Sequence, residues 1–230
     1  LINKPLKKNG RNLSTSSISS YFNKFRASLK QAVKDRIISF NASTDIKLPK
    51  IIEKERQYLT VEELQSLHKV ECRYPVLKRA FLFSCITGLR FGDVENLYWK
   101  QIQTFKNGIR IHHHQEKTKS LEYLDINPQA IKYMGDRRND EDLVFEGLKS
   151  SDYFNVALSR WVLKAGITKH ITFHCGRHTY ATLLMNIEGV DLLTVMKLLG
   201  HKNIKATQIY AKIMDKTKRD AVNQLPQINI

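Results

Sequence analysis

The densest cluster of polar side chains in this 230-residue sequence is His174-Cys175-Gly176-Arg177-His178, which interrupts an otherwise apolar region. The cluster stands where a helix is predicted to begin, and the exposed amide groups of a helix N-terminus favour an anion such as a phosphate. Read alone, the cluster is a weak signal, because a His and an Arg at a helix N-terminus are usually a cap and a surface charge. Its chemistry therefore depends on which other reactive side chains the fold brings to it.

Reactive residue types also stand in three other segments. Leu199-Gly200-His201 follows the cluster, and Tyr210 lies further on in Gln208-Ile209-Tyr210-Ala211-Lys212. Far upstream, Arg90 and Asp93 occur in Thr87-Gly88-Leu89-Arg90-Phe91-Gly92-Asp93-Val94. Each piece has a plain structural interpretation, since a single helical tyrosine usually packs in a core and Asp93 could cap a helix before Val94.

Taken together, these segments resemble the tyrosine recombinase family, the phage-type integrases, in the family's order over residues 59 to 215. The resemblance implies a catalytic role for five side chains and a supporting role for one acidic residue. By position, Arg90 matches the first catalytic arginine and Asp93 its acidic companion, His174 and Arg177 match the HxxR motif, His201 matches the third-box His or Trp, and Tyr210 matches the nucleophile.

The family also carries a catalytic lysine on a β-hairpin turn. The matching turn is Glu116-Lys117-Thr118-Lys119-Ser120, where Lys117 is the predicted general acid and Lys119 is the alternative. Asp125 stands where the family usually has proline, which leaves the register of the second hairpin strand open. The choice between the two lysines stays open with it.

The resemblance implies a site-specific DNA recombinase, an integrase of a mobile element, that cleaves and rejoins DNA through a 3′-phosphotyrosyl intermediate. A tyrosine oxygen can replace a phosphodiester oxygen and store the bond as an ester. Arg90, Arg177 and His201 would stabilise the charge that develops on phosphorus oxygens, so neither a metal nor another cofactor is expected. His174 or the phosphate itself would receive the phenolic proton. Asp93 would orient Arg90 or a neighbouring donor without touching substrate.

Double-stranded DNA is the predicted partner, and the resemblance implies a homo-tetramer on paired sites. The tail after Tyr210, residues 211–230, would dock on a neighbouring protomer through Ile213, Val222, Leu225 and Ile228. Two other functions remain open. One is a type IB topoisomerase, which would use similar residues without exchanging partners, and the other is a non-catalytic DNA-binding protein of the same fold.

The periodicity of apolar residues predicts a mainly α fold (α+β), a helical catalytic domain with a small antiparallel hairpin or sheet. In the catalytic domain we expect a helix opened by a Thr60–Glu63 capping box, a core helix over 76–87 that ends at Gly88, and a helical segment over 93–99. A hairpin over 108–126 follows, and then helices after Asn127 and over 151–165, 175–187, 191–199 and 203–213.

The predicted domains are a partial helical core-binding, DNA-clamp domain over 1–50, a linker over 51–58 and the catalytic domain with its tail over 59–230. An amphipathic helix is predicted over 14–40, with Lys24, Arg26, Lys30 and Lys34 as DNA contacts. Lys119 and His178 complete the predicted contacts. The start at Leu1 rather than methionine suggests a fragment of a longer protein.

The chain carries a formal net charge of +16, and residues 1 to 50 are its most basic part, which favours a polyanionic partner. No long apolar run and no secretory signal occurs, so we expect a cytoplasmic protein, associated with the nucleoid and not with a membrane. Three separated cysteines favour reduced thiols. The His112-His113-His114 run is not expected to bind zinc, because consecutive strand residues point to opposite faces.

Overall fold

A computed structural model describes residues 13–50, 56–106, 108–114, 121–201 and 203–211. By their contacts the residues group into two compact units, 1–55 and 56–230. Among the described residues, the first unit contributes one long helix, and the second contributes the remaining helices and a sheet. The predicted class, a mainly helical fold with a small antiparallel sheet, is confirmed.

In the first unit, α1 spans Thr15–Lys34, and the Ser14 side chain caps it by accepting a hydrogen bond from the Ser17 amide. The prediction that this helix reaches Phe40 is wrong. The backbone turns at Arg36, whose φ of 58° is left-handed, and Ile37 and Phe40 are exposed beyond it. The apolar periodicity therefore continues past the residue at which the helix ends.

The first helix of the second unit begins where it was predicted. Both hydrogen bonds of the Thr60–Glu63 capping box are present at the start of α2. The helices of this unit are α2 (Val61–Lys69), α3 (Pro75–Thr87), α4 (Phe91–Glu95), α5 (Pro128–Met134), α6 (Asp152–Lys164), α7 (His174–Met185), α8 (Leu192–Leu198) and α9 (Lys205–Ala211). The helical segment expected over 93–99 is instead α4 followed by a single 3₁₀ turn, Trp99–Gln101.

The sheet has three antiparallel strands in the order β1 (Ile102–Phe105), β2 (Gly108–His114) and β3 (Leu121–Ile126). The predicted hairpin β2–β3 is confirmed, whereas β1 was not predicted. Asp125 lies opposite Arg110 in the register, and the two side chains are joined by hydrogen bonds of 2.5 and 3.0 Å. This pairing fixes the strand register that the sequence left open.

The core of the second unit forms around α3, whose Phe81 ring packs edge-on against Phe173 at 5.7 Å between ring centroids. At Gly176, the backbone of α7 comes so close to α3 that an added Cβ would lie 2.9 Å from the Ser84 hydroxyl oxygen. Glycine at this position therefore sets how closely α7, which carries the His-Arg cluster, approaches α3. A second apolar cluster contains Ala181, Met185, Val195, Leu199 and Tyr210.

Candidate active site

An open pocket of about 560 Å³ lies at the N-terminal end of α7, and it contains most of the side chains singled out in the sequence. Its walls come from helices α7 and α9 and from the loops that precede α2, α4 and α9. The lining residues are Arg56, Arg90, His174, Arg177, His178, Gly200, His201, Asn203, Ala206, Ile209 and Tyr210.

Arg90 reaches the pocket because α3 ends abruptly before it. Gly88 adopts a left-handed conformation, φ 72°, and an added Cβ would overlap the Tyr180 ring, so glycine is required there. Ser84 then donates a hydrogen bond of 2.8 Å to the carbonyl oxygen of Leu89, which holds the turn against α3. Arg90 follows this turn as the N-cap residue of α4.

Asp93 secures Arg90 from within α4. Its carboxylate accepts a hydrogen bond of 3.3 Å from the Arg90 backbone amide and lies 3.8 Å from Nη1 of the Arg90 side chain. The Asp93 side chain is 1% exposed, so its carboxylate is shielded from solvent. Asp93 occupies the third position of the helix rather than its N-cap, and its contact is with Arg90, the residue it was predicted to orient.

Arg177 is buried beneath the pocket, with 4% of its surface exposed. Its Nη1 donates 2.8 Å to the carbonyl oxygen of Gly88, and its Nη2 donates to the carbonyl oxygen of Leu199. Burial, together with the charge of Arg90, lowers the pKa of Arg177 to about 10, so the guanidinium remains charged at neutral pH. The positive charge of Arg90 acts on Arg177, and an anion bound in the shared pocket would offset this repulsion.

His201 is positioned by the end of α8. The His201 amide donates to the Met196 carbonyl and the left-handed Gly200 amide to that of Lys197, which together form a Schellman motif. The Nδ1 atom of the ring lies 2.8 Å from the hydroxyl oxygen of the fully buried Thr207. Burial, with smaller contributions from nearby positive charges, lowers the pKa of His201 to about 4, so the ring is neutral at physiological pH.

Tyr210 lies on α9 with only 2% of its surface exposed. Its hydroxyl oxygen is 2.7 Å from Nδ1 of His178, and the two ring centroids are 5.6 Å apart. Burial raises the pKa of the Tyr210 phenol, while the charges of Arg177, Arg56 and Arg90 act in the opposite direction. The phenol of Tyr210 is thus uncharged and hydrogen-bonded to His178.

His178 is 5% exposed and lies directly under His174, with an edge-on contact of 4.7 Å between ring centroids. A buried ring in this position does not support the DNA contact predicted for His178. His174, by contrast, is exposed at the pocket. The two histidines therefore differ in surroundings: His174 faces solvent at the pocket, and His178 is buried against Tyr210.

The structure therefore gathers Arg90, His174, Arg177, His201 and Tyr210 into one pocket, with Asp93 beside it. Lys117 and Lys119 fall within 115–120, and the tail residues Ile213, Val222, Leu225 and Ile228 fall within 212–230, so all of them lie outside the described residues.

Arg56 and Thr207 were missed by the sequence reasoning. Arg56 lines the pocket and its charge acts on both Tyr210 and His178, but its sequence neighbours form no recognisable motif. Thr207 lies three residues before the candidate nucleophile, a helical spacing that could have directed attention to it.

The lysines predicted to contact DNA in the first unit, Lys24, Lys30 and Lys34, are exposed on α1. Arg26 is occupied within that unit, where its Nη2 donates to the carbonyl oxygens of Ser43 at 3.1 Å and Ile46 at 2.8 Å. Arg26 thus closes the segment after α1 onto the helix, a role that the sequence did not indicate.

His112 packs edge-on against Tyr123 with 4.7 Å between ring centroids. Across the ranges that the structure describes, no cluster of three His, Cys, Asp or Glu side chains is arranged to hold a metal ion. The same ranges include no helix with the length and apolar character needed to span a bilayer.

Comparison with known families gives two matches. The phage integrase family matches residues 57–217, and the phage integrase SAM-like domain matches residues 1–48. A tyrosine recombinase of Thermosipho africanus is 31% identical over 218 residues, which cover 91% of this chain and 74% of that protein. The tyrosine recombinase XerC of Bacillus subtilis is 28% identical over 227 residues, with the same two coverages.

Solved structures share the fold. The Tn1549 transposon integrase in complex with circular intermediate DNA is 19% identical, with a TM-score of 0.66 over 91% of this chain and 79% of that chain. The XerA recombinase is 22% identical, with a TM-score of 0.60 over 94% of this chain and 85% of that chain.

Proposed function

The chain belongs to the phage integrase family, and on that premise we propose that it is a site-specific DNA recombinase, an enzyme that cleaves and rejoins DNA strands through a 3′-phosphotyrosyl intermediate. The observation that carries the proposal is the shared pocket, in which Tyr210 meets Arg90, His174, Arg177 and His201. A lone buried tyrosine would be packing; a tyrosine beside two guanidinium groups is suited to a phosphate.

The two arginines bind the scissile phosphate in this proposal. Arg177 donates two of its five N–H groups to backbone carbonyls, and these hydrogen bonds fix the plane of the guanidinium. The remaining N–H groups can donate hydrogen bonds to a non-bridging phosphate oxygen. Arg90 approaches from the turn after α3, held by Asp93. Donors that are fixed before reaction stabilise the charge that concentrates on phosphorus oxygens during attack.

The reaction replaces one phosphate ester by another. The hydroxyl oxygen of Tyr210 attacks phosphorus, its proton passes to a base in the pocket, and the bond from phosphorus to the 5′ oxygen breaks. That 5′ oxygen must gain a proton, and we propose Lys117, in the chain segment between β2 and β3, as the donor, with Lys119 as the alternative. His174 and His201 stand at the pocket as further contacts for the phosphate.

We assign double-stranded DNA as the partner, with four protomers acting on paired sites and the tail over 211–230 joining neighbours. Residues 1–50 serve as part of the DNA clamp in this proposal, with Lys24, Lys30 and Lys34 exposed for phosphate contact. Likeness to a transposon integrase whose structure contains DNA supports assigning the chain to a mobile element.

Covalent capture tests the proposal without knowledge of the target site. A library of nicked duplexes with randomised inverted repeats is incubated with the chain, the protein is denatured, and the DNA that stays attached is sequenced. A nick beside the scissile bond lets the 5′ fragment diffuse away, so the ester accumulates. We expect the parent chain to retain a defined sequence and Tyr210→Phe to retain none.

Three outcomes would contradict the proposal. Absence of attached DNA from both chains would favour a DNA-binding protein without catalysis. Equal attachment by Tyr210→Phe would exclude Tyr210 as the nucleophile. Relaxation of plasmid by monomers, with no junction product on paired captured sites, would favour a topoisomerase of type IB.

A further inference from the structure

The hydroxyl group of Tyr210 has a specific neighbour that the sequence motifs did not assign to it. Nδ1 of His178 lies 2.7 Å from the Tyr210 hydroxyl oxygen, a distance typical of a strong hydrogen bond between oxygen and nitrogen. Both side chains are almost fully buried, with 5% and 2% of their surfaces exposed. Water therefore has little access to the contact.

We propose that His178 is the general base of the cleavage step, taking the phenolic proton of Tyr210 onto Nδ1 as the phenolic oxygen attacks phosphorus. This inference rests on the proposed recombinase function. The O–H bond of Tyr210 breaks and an N–H bond forms on His178, while the oxygen–phosphorus bond forms and the bond to the 5′ oxygen breaks. In rejoining, the imidazolium returns the same proton to the departing phenolate.

The protonation state of His178 suits this role. Burial is the largest cause that lowers its pKa to about 4, and the groups facing it, His174, Arg56, Arg177 and His201, act in the same direction. The ring is therefore neutral at physiological pH. When the ring proton is on Nε2, Nδ1 is an acceptor, and the hydroxyl of Tyr210 is the donor.

A bound phosphate changes the electrostatic surroundings of His178. A negative charge entering among the arginines offsets the positive charges that hold the imidazole neutral, so the pKa of His178 rises when DNA is present. The same arginines stabilise the phenolate of Tyr210. Proton transfer between the two rings thus becomes easier once the substrate is bound.

The position of His178 also suits a general base, because it contacts the phenol without facing the space for the phosphate. It lies under His174, on the protein side of the pocket, so it can hold the phenolic proton without occupying the space of the phosphate. His174 is exposed above it and is the ring better placed for the phosphate. In this proposal the HxxR motif, His174 to Arg177, binds the phosphate, and the next residue, His178, takes the proton.

Two substrates separate the base from the general acid. Both use the duplex that the parent chain retains in covalent capture; one has the natural 5′ oxygen as leaving group, and the other carries a 3′ p-nitrophenyl phosphate ester. The p-nitrophenolate departs without a proton, so only the base is needed. His178→Asn keeps an acceptor near the position of Nδ1 but cannot take a proton, and Lys117→Ala is the matched variant for the acid.

We expect His178→Asn to slow covalent-complex formation about 100-fold on both substrates, within the range of general base catalysis. Lys117→Ala should be slow on the natural duplex and recover on the ester. Cleavage by His178→Asn within about threefold of the parent on the ester, or faster than the parent, would overturn the inference. If the parent chain cleaved neither substrate, the recombinase proposal itself would be rejected.

A measurement on the unsubstituted chain covers the case in which His178→Asn does not fold, as judged by its melting temperature and DNA binding. On the pH-independent part of the rate profile, proton transfer to a base during attack makes the ester reaction slower in D₂O than in H₂O, whereas a phenolate that is already fully formed attacks without such slowing. We expect the slower rate in D₂O. Equal rates in the two solvents would overturn the inference.

Discussion

The Nη1 atom of Arg177 donates a hydrogen bond of 2.8 Å to the carbonyl oxygen of Gly88, and this bond ties the start of α7 to the end of α3. The same guanidinium donates to the carbonyl of Leu199 at the end of α8. One side chain thus joins three of the chain segments that surround the pocket. The charge offered to a phosphate and the assembly of the site depend on the same group.

Arg177→Lys is expected to impair cleavage and stability together. An ammonium group keeps the charge but cannot bind both carbonyls in one plane, and a buried carbonyl left without a donor costs about 2 kcal/mol. We expect cleavage at least 100-fold slower, as for loss of a fixed oxyanion donor. The melting temperature should fall by roughly 4–8 °C.

Arg90→Lys is the control for Arg177→Lys. The Arg90 side chain is 21% exposed at the rim of the pocket, so its replacement should slow cleavage with a smaller change in melting temperature. Differential scanning calorimetry and single-turnover cleavage measure the two effects. Equal destabilisation by the two variants would show that Arg177 has no special structural role.

Thr207→Val is expected to reduce cleavage about tenfold while leaving the fold intact. The substitution replaces the hydroxyl that lies 2.8 Å from Nδ1 of His201, and the fully buried site accepts a side chain of the same shape. Without that contact the imidazole loses its preferred tautomer and orientation, at a cost near 1.4 kcal/mol. Single-turnover cleavage at saturating DNA reports the change.

Thr207→Ser keeps the hydroxyl and should retain most of the activity. Equal cleavage rates for the valine, serine and parent chains would mean that the contact does not orient His201.

Arg56→Ala is expected to weaken DNA binding and its dependence on salt. Arg56 is exposed and lines the pocket beside Tyr210, so we expect its guanidinium to contact a DNA phosphate and the variant to lose that contact. We expect the slope of log K against log salt concentration to fall by about 1. Fluorescence anisotropy across a salt series measures the slope. Lys164→Ala, which removes a cation that does not line this pocket, should leave it unchanged.

Stability is expected to fall as the solution is acidified from pH 6.5 towards pH 4. The pKa values of His178 and His201 are both lowered to about 4 by burial, whereas in the unfolded chain each titrates near 6.5. Between these values the unfolded state binds more protons, so each ring removes at most about 1.4 kcal/mol per pH unit. Above pH 6.5 their contribution is complete.

Urea unfolding at several pH values measures this slope. His178→Asn removes one of the two rings and should make the slope shallower between pH 6.5 and 4. An identical slope in both chains would show that His178 does not titrate abnormally in the folded protein.

Local signals predicted the elements well. The Thr60–Glu63 capping box, the left-handed Gly88 and the Asn127-Pro128 start of α5 each depend on a few neighbouring residues, and all three occur as expected. The errors lie where tertiary context overrides the pattern. Strand β1 has four residues, too short for a clear alternation, and it exists through pairing with β2.

The candidate site could be predicted in part. The family motifs identified Arg90, Arg177 and Tyr210, which the fold brings to one pocket. The contact between His178 and Tyr210 could not be predicted, because the two residues are 32 positions apart and no local pattern connects them. Arg56 was missed for the same reason: its place beside the pocket comes from the fold of the chain.

The aromatic ring of Tyr210 also belongs to the apolar cluster formed with Ala181, Met185, Val195 and Leu199. The proposed nucleophile therefore also contributes to the packing of the domain. A screen for inactive alleles would score most replacements at this position as chemical failures, although many would first be failures of folding. Phenylalanine fills the same volume, and for this reason it alone separates the two losses.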